Sequence, residues 1–174
     1  GKQPLLHKGF AVAPAAECFC HACVKGVDLI LHDVGEVGVE AVQEFTDDTV
    51  KEILDACDHS YIEGLSILGG EPFEPENQPR LLEFLKKFKE MYPEKNVWCY
   101  SGYTYEELTG KKESRCFTDK TLDMLNLIDI LVDGEYVEEL HTLMIRFRGS
   151  TNQRLIDLNA TRKQGEIVTL KDRI

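Results

Sequence analysis

The sequence predicts an α/β fold built on a parallel sheet, and three observations lead there. From Glu44 onward, strand-sized apolar runs alternate with segments of helical period, the pattern of strand–helix–strand units. Three of those runs end in a polar, glycine-bearing turn: Gly69-Gly70, Ser101-Gly102 and Asp133-Gly134. No repeat, low-complexity tract or linker divides the 174 residues, so one domain over 1–174 is expected.

Taken in order, Gly9–Pro14 and Val27–Val34 have strand composition and flank a cluster of cysteines, while the valine-rich stretch around Gly35 and Gly38 has no clear period. Thr46 can cap a helix with Asp47 and Asp48 in its first turn, and Val50, Ile53, Leu54 and Cys57 recur at helical spacing. Together they predict a helix over 47–58. Ile62–Leu68 is an apolar run closed by two glycines, a buried strand meeting a sharp turn. Pro79 opens a helix with Leu81, Leu82, Leu85 and Phe88 on one face. Val97–Tyr100 reads as a strand, Thr104–Leu108 and Thr118–Leu127 as helical pieces, and Ile128–Val132 as another strand. A parallel sheet of this kind is open or closed into a barrel, and in both forms ligands collect at the carboxyl ends of the strands. The three glycine-bearing turns therefore define one candidate face.

Composition narrows the function. Hydrophobic residues make up 43% and charged residues 29%, an ordinary balance for a globular domain. With 31 acidic against 20 basic residues the net charge is −11, which argues against a duplex-binding protein, since that needs a basic stripe. The apolar runs are too short to span a bilayer. No basic stretch followed by an apolar one opens the chain, so a cytoplasmic location is expected.

Six cysteines are present, and Cys18, Cys20 and Cys23 fall within six residues. In a cytosolic protein, thiols clustered this way are more often metal or redox groups than disulfides. Cys57, Cys99 and Cys116 are scattered and read as core or surface thiols. A zinc site completed by His21 or His32 stays open for the clustered three. His7, His59 and His141 carry no comparable signal.

The strongest local motif is Gly69-Gly70-Glu71-Pro72-Phe73, directly after a strand. Adjacent glycines let a ligand approach the backbone closely, and their N–H and C=O groups can bond a small zwitterion. Glu71 offers an acceptor to an ammonium group and Pro72 stiffens the turn. On turn chemistry alone, a plain turn is the commoner role.

Segment 64–77, Gly-Leu-Ser-Ile-Leu-Gly-Gly-Glu-Pro-Phe-Glu-Pro-Glu-Asn, resembles the S-adenosylmethionine (SAM) binding segment of radical SAM activases, those of the anaerobic ribonucleotide reductase in particular. The likeness continues through residues 97–103, 106–108, 128–134 and 147–154, in the family's order and spacing, and covers about 44–158. The resemblance implies an incomplete parallel (β/α) barrel of the radical SAM type, with the cysteine-cluster region in 1–43 and the family-like core in 44–158. It implies an oxidoreductase that cleaves SAM reductively and generates a glycyl radical on the large subunit of anaerobic ribonucleotide reductase, with a flavodoxin-like reductant supplying the electron. Gly69, Gly70 and Glu71 would hold the methionine amino group, Ser101 and Gly102 would lie near the ribose or methionine moiety, and Asp133 would sit at the rim. A solvated Asp-Gly turn is the competing role for Asp133. The block Gly149–Arg154 would order the cofactor or the partner's tail, or merely position Arg154. Cys18, Cys20 and Cys23 would bind a 4Fe–4S cluster, three thiolates leaving one iron for SAM. No single catalytic side chain emerges.

The cysteine region departs from the family pattern of Cys-x3-Cys-x2-Cys. Here the spacing is Cys18-x-Cys20-x2-Cys23, Ala16 stands at the family's first position, and Val24 and Lys25 follow the third cysteine in place of an aromatic residue and asparagine. A cluster in a rearranged loop, a lost cluster, an altered N-terminal segment and a zinc site all remain open. So do two other functions: an activase of another glycyl radical enzyme, and a non-catalytic cluster-less or zinc-bound binding module.

Overall fold

The computed structural model describes residues 22–24, 27–33 and 45–170, the first two stretches by backbone alone. Thr46 has an extended backbone and its Oγ1 accepts from the N–H of Thr49 at 3.3 Å, which starts α1 (Asp47–Ala56) where the sequence placed a cap. Strand β3 (Ile62–Gly69) follows, then α2 (Gln78–Met91) with Pro79 in its first turn, where a missing N–H costs nothing. Strand β4 (Asn96–Tyr100) leads to α3 (Tyr105–Leu108), whose cap Thr104 and Glu107 form a reciprocal capping box. After α4 (Thr121–Asn126) come β5 (Ile130–Asp133), β6 (Arg154–Asp157) and α5 (Leu158–Gln164). Upstream, β1 (Ala22–Val24) and β2 (Val27–Asp33) form a hairpin, so the expected strand at 27–34 is present. The strand expected at Gly9–Pro14 lies outside the described residues.

The six strands make one sheet in sequential order. Only β3, β4 and β5 are mutually parallel; β2 runs antiparallel to β3, and β6 antiparallel to β5. The wholly parallel sheet is thus corrected to a mixed one. For the pairs β1/β2 and β5/β6 the reason is connection length and content: β1 and β2 are two residues apart, and between β5 and β6 the chain makes only one 3₁₀ turn (Glu138–Leu140) before returning at the same end. A parallel neighbour needs a crossover to the opposite end, usually through a helix. The outer edge of β6 is covered by residues 168–170, where Ile156 and Thr169 form an antiparallel bridge flanked by Asp157 N donating to Val168 O at 2.9 Å and Leu170 N donating to Leu155 O at 2.7 Å.

Leu65, Ile67, Val97, Cys99, Leu131 and Ile156 from the strands join Ile53, Leu81, Leu85, Phe88, Met124 and Leu158 from the helices in one buried cluster. Each such side chain contributes roughly 1.5–3 kcal/mol by leaving water. Cys57, Cys99 and Cys116 are buried and form no disulfide, and burial pushes Cys99 far up from its ordinary value. They therefore behave as small apolar groups. No helix among the described residues is long and apolar enough to cross a membrane.

Close approach of β3 and β4 requires a glycine at position 64. A Cβ there would lie 2.3 Å from the carbonyl oxygen of Asn96 and 2.4 Å from its Oδ1. Gly64→Ala should therefore lower stability by about 2 kcal/mol through strand separation, read as a lower urea midpoint; an unchanged midpoint would show that the strands part freely.

At the opposite end of the strands from the candidate face, Asp129 ties four elements together. Its carboxylate accepts from Val97 N at 2.8 Å, Lys89 Nζ at 2.7 Å and Asn159 Nδ2 at 2.8 Å, and its carbonyl accepts from Leu158 N at 2.9 Å. Burial pushes the Asp129 carboxyl upward, yet those donors outweigh it and leave it below its ordinary 3.8. Because the folded value lies below the unfolded one, this contribution is complete above about pH 4 and disappears as pH falls through the folded value. Urea midpoints compared at pH 5 and pH 3 should drop further in the wild type than in Asp129→Asn, whose amide does not titrate. Equal drops would remove Asp129 from the acid sensitivity.

Candidate functional site

Because β3, β4 and β5 are parallel neighbours, their carboxyl ends lie side by side. Each ends in one of the three turns singled out above. After Gly69 the chain bends at exposed Gly70 and is held by Glu74 N donating to the Glu71 carbonyl at 3.1 Å and Asn77 Nδ2 donating to it at 2.9 Å. That fold-back delivers the chain to α2.

Glu71 is the centre of the arrangement. Its Oε1 accepts from Phe73 N at 2.9 Å and Ser101 Oγ at 2.8 Å, and its Oε2 accepts from Gly102 N at 2.7 Å. The carboxylate thus staples the end of β3 to the end of β4. Burial, with the nearby Glu74 charge, raises the Glu71 carboxyl, and the three donors offset part of that rise. The tie extends further: Ser101 N donates to Val132 O at 2.9 Å, Tyr103 N to Ser101 Oγ at 3.1 Å, and Gly134 N to Tyr103 O at 3.2 Å. One chain of hydrogen bonds therefore links all three strand ends.

Glu71 keeps one acceptor position that suits an ammonium group. A carboxylate offers about four acceptor positions; three on Glu71 are taken, and the free one is on Oε2, beside exposed Gly102. That leaves room for one N–H of an ammonium group, with the open backbone of Gly70 and Gly102 on either side.

Asp133 takes neither of the two roles expected for it in pure form. It is 1% exposed, which overturns a solvated turn. Its carboxylate accepts from Tyr105 N at 2.7 Å and from Arg154 Nε at 2.9 Å and Nη2 at 2.5 Å. Arg154 also reaches Glu106 through Nη1 at 3.1 Å and Nη2 at 2.7 Å. The Arg154 bond holds the Glu106 carboxyl below its ordinary value. Asp133 fixes the start of α3 and the start of β6, behind the rim.

The block Gly149–Arg154 works the same way. Gln153 Oε1 accepts from Gly149 N at 2.8 Å and Ser150 N at 3.1 Å, while its Nε2 donates to Gly134 O at 3.0 Å. Glu106 and Gln153 fall in segments that the resemblance singled out without giving either a role of its own, and a third hub, Gln78, lay outside them all. The Gln78 amide donates to Phe73 O and Cys116 O, each at 2.7 Å, and accepts from Thr118 Oγ1 at 2.7 Å and Thr121 Oγ1 at 2.8 Å. Every bonding position of this fully buried amide is used. Glu74 joins the loops from the other side, accepting from Tyr103 Oη at 2.8 Å and pairing with Arg115. Their cross-loop partners lie far along the chain, 19 residues for Gln153, 38 to 43 for Gln78 and 48 for Glu106.

Of the clustered cysteines, Cys18 and Cys20 lie outside the described residues. Cys23 is placed by backbone register: it pairs with Asp28, which pairs with Leu68. That sets Cys23 two strand spacings, roughly 10 Å, from the carboxyl end of β3. Among the described residues no three His, Cys, Asp or Glu side chains gather as a metal site.

The 4Fe-4S single cluster domain family matches residues 16–156, a span that includes all three clustered cysteines. The relatives include the anaerobic ribonucleoside-triphosphate reductase-activating protein of Enterobacteria phage T4, 37% identical over 65% of this chain and 65% of its own length. Proteins of the same name from Salmonella typhi and Escherichia coli (strain K12) are each 30% identical. Those matches cover 67% and 66% of this chain and 68% and 70% of theirs. The chain thus spans just under two thirds of the phage protein's length. No solved structure matches.

Proposed function

We propose that this chain, which belongs to the 4Fe-4S single cluster domain family and to the anaerobic ribonucleoside-triphosphate reductase-activating proteins, is a cytoplasmic radical SAM oxidoreductase. Its reaction is reductive cleavage of SAM, and its product is a glycyl radical on the large subunit of the anaerobic reductase. The observation that carries this reading is the Glu71 staple: one half-buried carboxylate joins two strand ends beside two exposed glycines and keeps one acceptor position open.

In this reading Gly69, Gly70 and Glu71 bind the methionine amino group, with Glu71 accepting one N–H on Oε2. Ser101 and Gly102 line the neighbouring ribose or methionine position, and Asp133 supports the rim through Tyr105 and Arg154. Parallel strands β3, β4 and β5 belong to an incomplete (β/α) barrel of the radical SAM type. Cys18, Cys20 and Cys23 hold the 4Fe–4S cluster, whose bound form supplies the electron for SAM cleavage. A flavodoxin-like protein delivers that electron. The staple's task is to orient the methionine end and keep the strand ends closed to water while the reactive fragment forms.

Reconstitution with iron and sulfide under anaerobic conditions, followed by dithionite and SAM, tests the proposal. The expected result is about four irons and four sulfides per chain, with methionine and 5′-deoxyadenosine released together. Cys20→Ser should lose both the cluster and the cleavage. The irregular cysteine spacing favours one competing reading, a cluster-less or zinc-bound binding module. Stoichiometric zinc without iron in anaerobically purified protein would establish that module and remove the activase. Activation of a different glycyl radical enzyme with the reductase left untouched would redirect the partner assignment alone.

A further inference from the structure

A second carboxylate, Glu74, also joins the loop after β3 to the turn after β4. Glu74 stands within the fold-back, where its N–H donates to Glu71 O at 3.1 Å and its carbonyl accepts from Asn77 N at 2.9 Å. Its Oε1 accepts from Tyr103 Oη at 2.8 Å, and its Oε2 pairs with Arg115. Tyr103 belongs to the turn that Glu71 holds. Its N–H donates to Ser101 Oγ at 3.1 Å, and that hydroxyl donates to Glu71 Oε1 at 2.8 Å. The Tyr103 carbonyl accepts from Gly134 N at 3.2 Å. Two glutamates three residues apart thus grip one turn, and the outer grip ends on a cation.

The two carboxylates differ in their charge partners. Glu74 has Arg115, whose side chain is 69% exposed, whereas among the described residues Glu71 pairs with no cation. The titratable groups facing Glu71 are Glu74 on its own loop, Cys99 on β4 and Cys116 on the loop before α4. Burial pushes both thiols up, so they carry no charge at neutral pH. Burial also raises the Glu71 carboxyl, and the Glu74 charge adds to that rise. The Tyr103 phenol is pushed up by burial and by its bond to Glu74, so it stays a donor. An exposed pair such as Arg115–Glu74 contributes little to stability; its place beside the site gives it another use.

We propose that Tyr103 and Glu74 are positioning residues of the ammonium site, holding the turn that aims Ser101 Oγ and Gly102 N at Glu71 and placing a second negative charge beside it. This rests on the activase reading above and adds to it the side chains that set the shape and the charge of its ammonium acceptor.

Two substitutions separate shape from charge. Tyr103→Phe keeps the ring and removes one hydrogen bond. Glu74→Gln keeps an oxygen for Tyr103 and removes the charge. The full chain, reconstituted with iron and sulfide, is titrated with S-adenosylhomocysteine by calorimetry at pH 7.5 and pH 5. Tyr103→Phe should bind about fivefold more weakly at both values, as for one lost hydrogen bond, and should exchange the Gly102 amide hydrogen faster without ligand. A like charge disfavours the ionised form of its neighbour, so relieving Glu71 of Glu74 lets it stay ionised to lower pH. Affinity of Glu74→Gln should therefore fall less between pH 7.5 and pH 5 than that of the wild type. Wild-type affinity with unchanged Gly102 exchange in Tyr103→Phe would overturn the role of the phenol. Superimposable pH profiles for Glu74→Gln and the wild type would overturn that of the charge. Failure of the wild type to bind S-adenosylhomocysteine would strike the activase reading instead, and hydrogen exchange, which needs no ligand, would still decide whether the phenol shapes the turn.

Discussion

Arg154→Leu is expected to destabilise the fold by about 3–5 kcal/mol, the range for removing one partner of a buried ion pair. Asp133 is 1% exposed, and its carboxylate has only the Tyr105 N–H besides the guanidinium. Without Arg154 the charge must stay buried with a single donor or take up a proton, and both cost free energy. The Glu106 half of the network adds little, because that side chain is 38% exposed and water screens the pair. The double variant Asp133→Leu/Arg154→Leu should recover much of the loss, since removing both charges leaves no buried ion behind. Urea denaturation of the two variants beside the wild type measures this directly. A loss below about 1 kcal/mol for Arg154→Leu would mean that Asp133 does not depend on it.

Glu71→Ala should weaken binding of S-adenosylhomocysteine, a non-cleavable stand-in for SAM, by at least about a hundredfold, roughly 2.7 kcal/mol. Two losses combine. The ammonium group loses its acceptor, and Phe73 N, Ser101 Oγ and Gly102 N lose theirs, so the β4 turn no longer has a fixed shape. Methylthioadenosine, which lacks the amino-acid end, separates the two. It should also bind more weakly to Glu71→Ala if the staple shapes the Ser101-Gly102 turn, and equally well if Glu71 serves the ammonium alone. Burial raises the Glu71 carboxyl above its ordinary 4.5, and only the ionised form accepts three donors and the ammonium. Affinity should therefore fall as pH drops through that raised value, while in Glu71→Gln it stays flat. Calorimetry at pH 5 and pH 7.5 reads the difference; parallel pH profiles would remove Glu71 from the binding step.

The parts of this fold that were legible in the sequence are those whose signal is local. Thr46 and Thr104 cap helices with bonds three residues long, and Pro79 sits in the first turn of its helix. The apolar runs before Gly69-Gly70, Ser101-Gly102 and Asp133-Gly134 became the three parallel strands, so the end of the sheet that holds the candidate site was also legible. Arg154–Asp157 gave no such warning. Four residues, polar at both ends, run straight into α5, with Asp157 capping that helix through Ala160 N at 2.9 Å, and so short a run has no period to detect.

Residue types in order were enough to establish the α/β class and the kinship of the chain, and to mark the strand ends as the candidate site. Direction of the outer strands, the buried state of Asp133 and the closing of Glu71 onto Ser101 and Gly102 were settled only when the chain was assembled. The physical reason is that a cap or an apolar run is decided by neighbours within a few residues. A carboxylate drawn in from water is decided by whichever donors the sheet brings to it, and the cross-strand ones come from 30 residues away for Glu71 and 21 for Asp133.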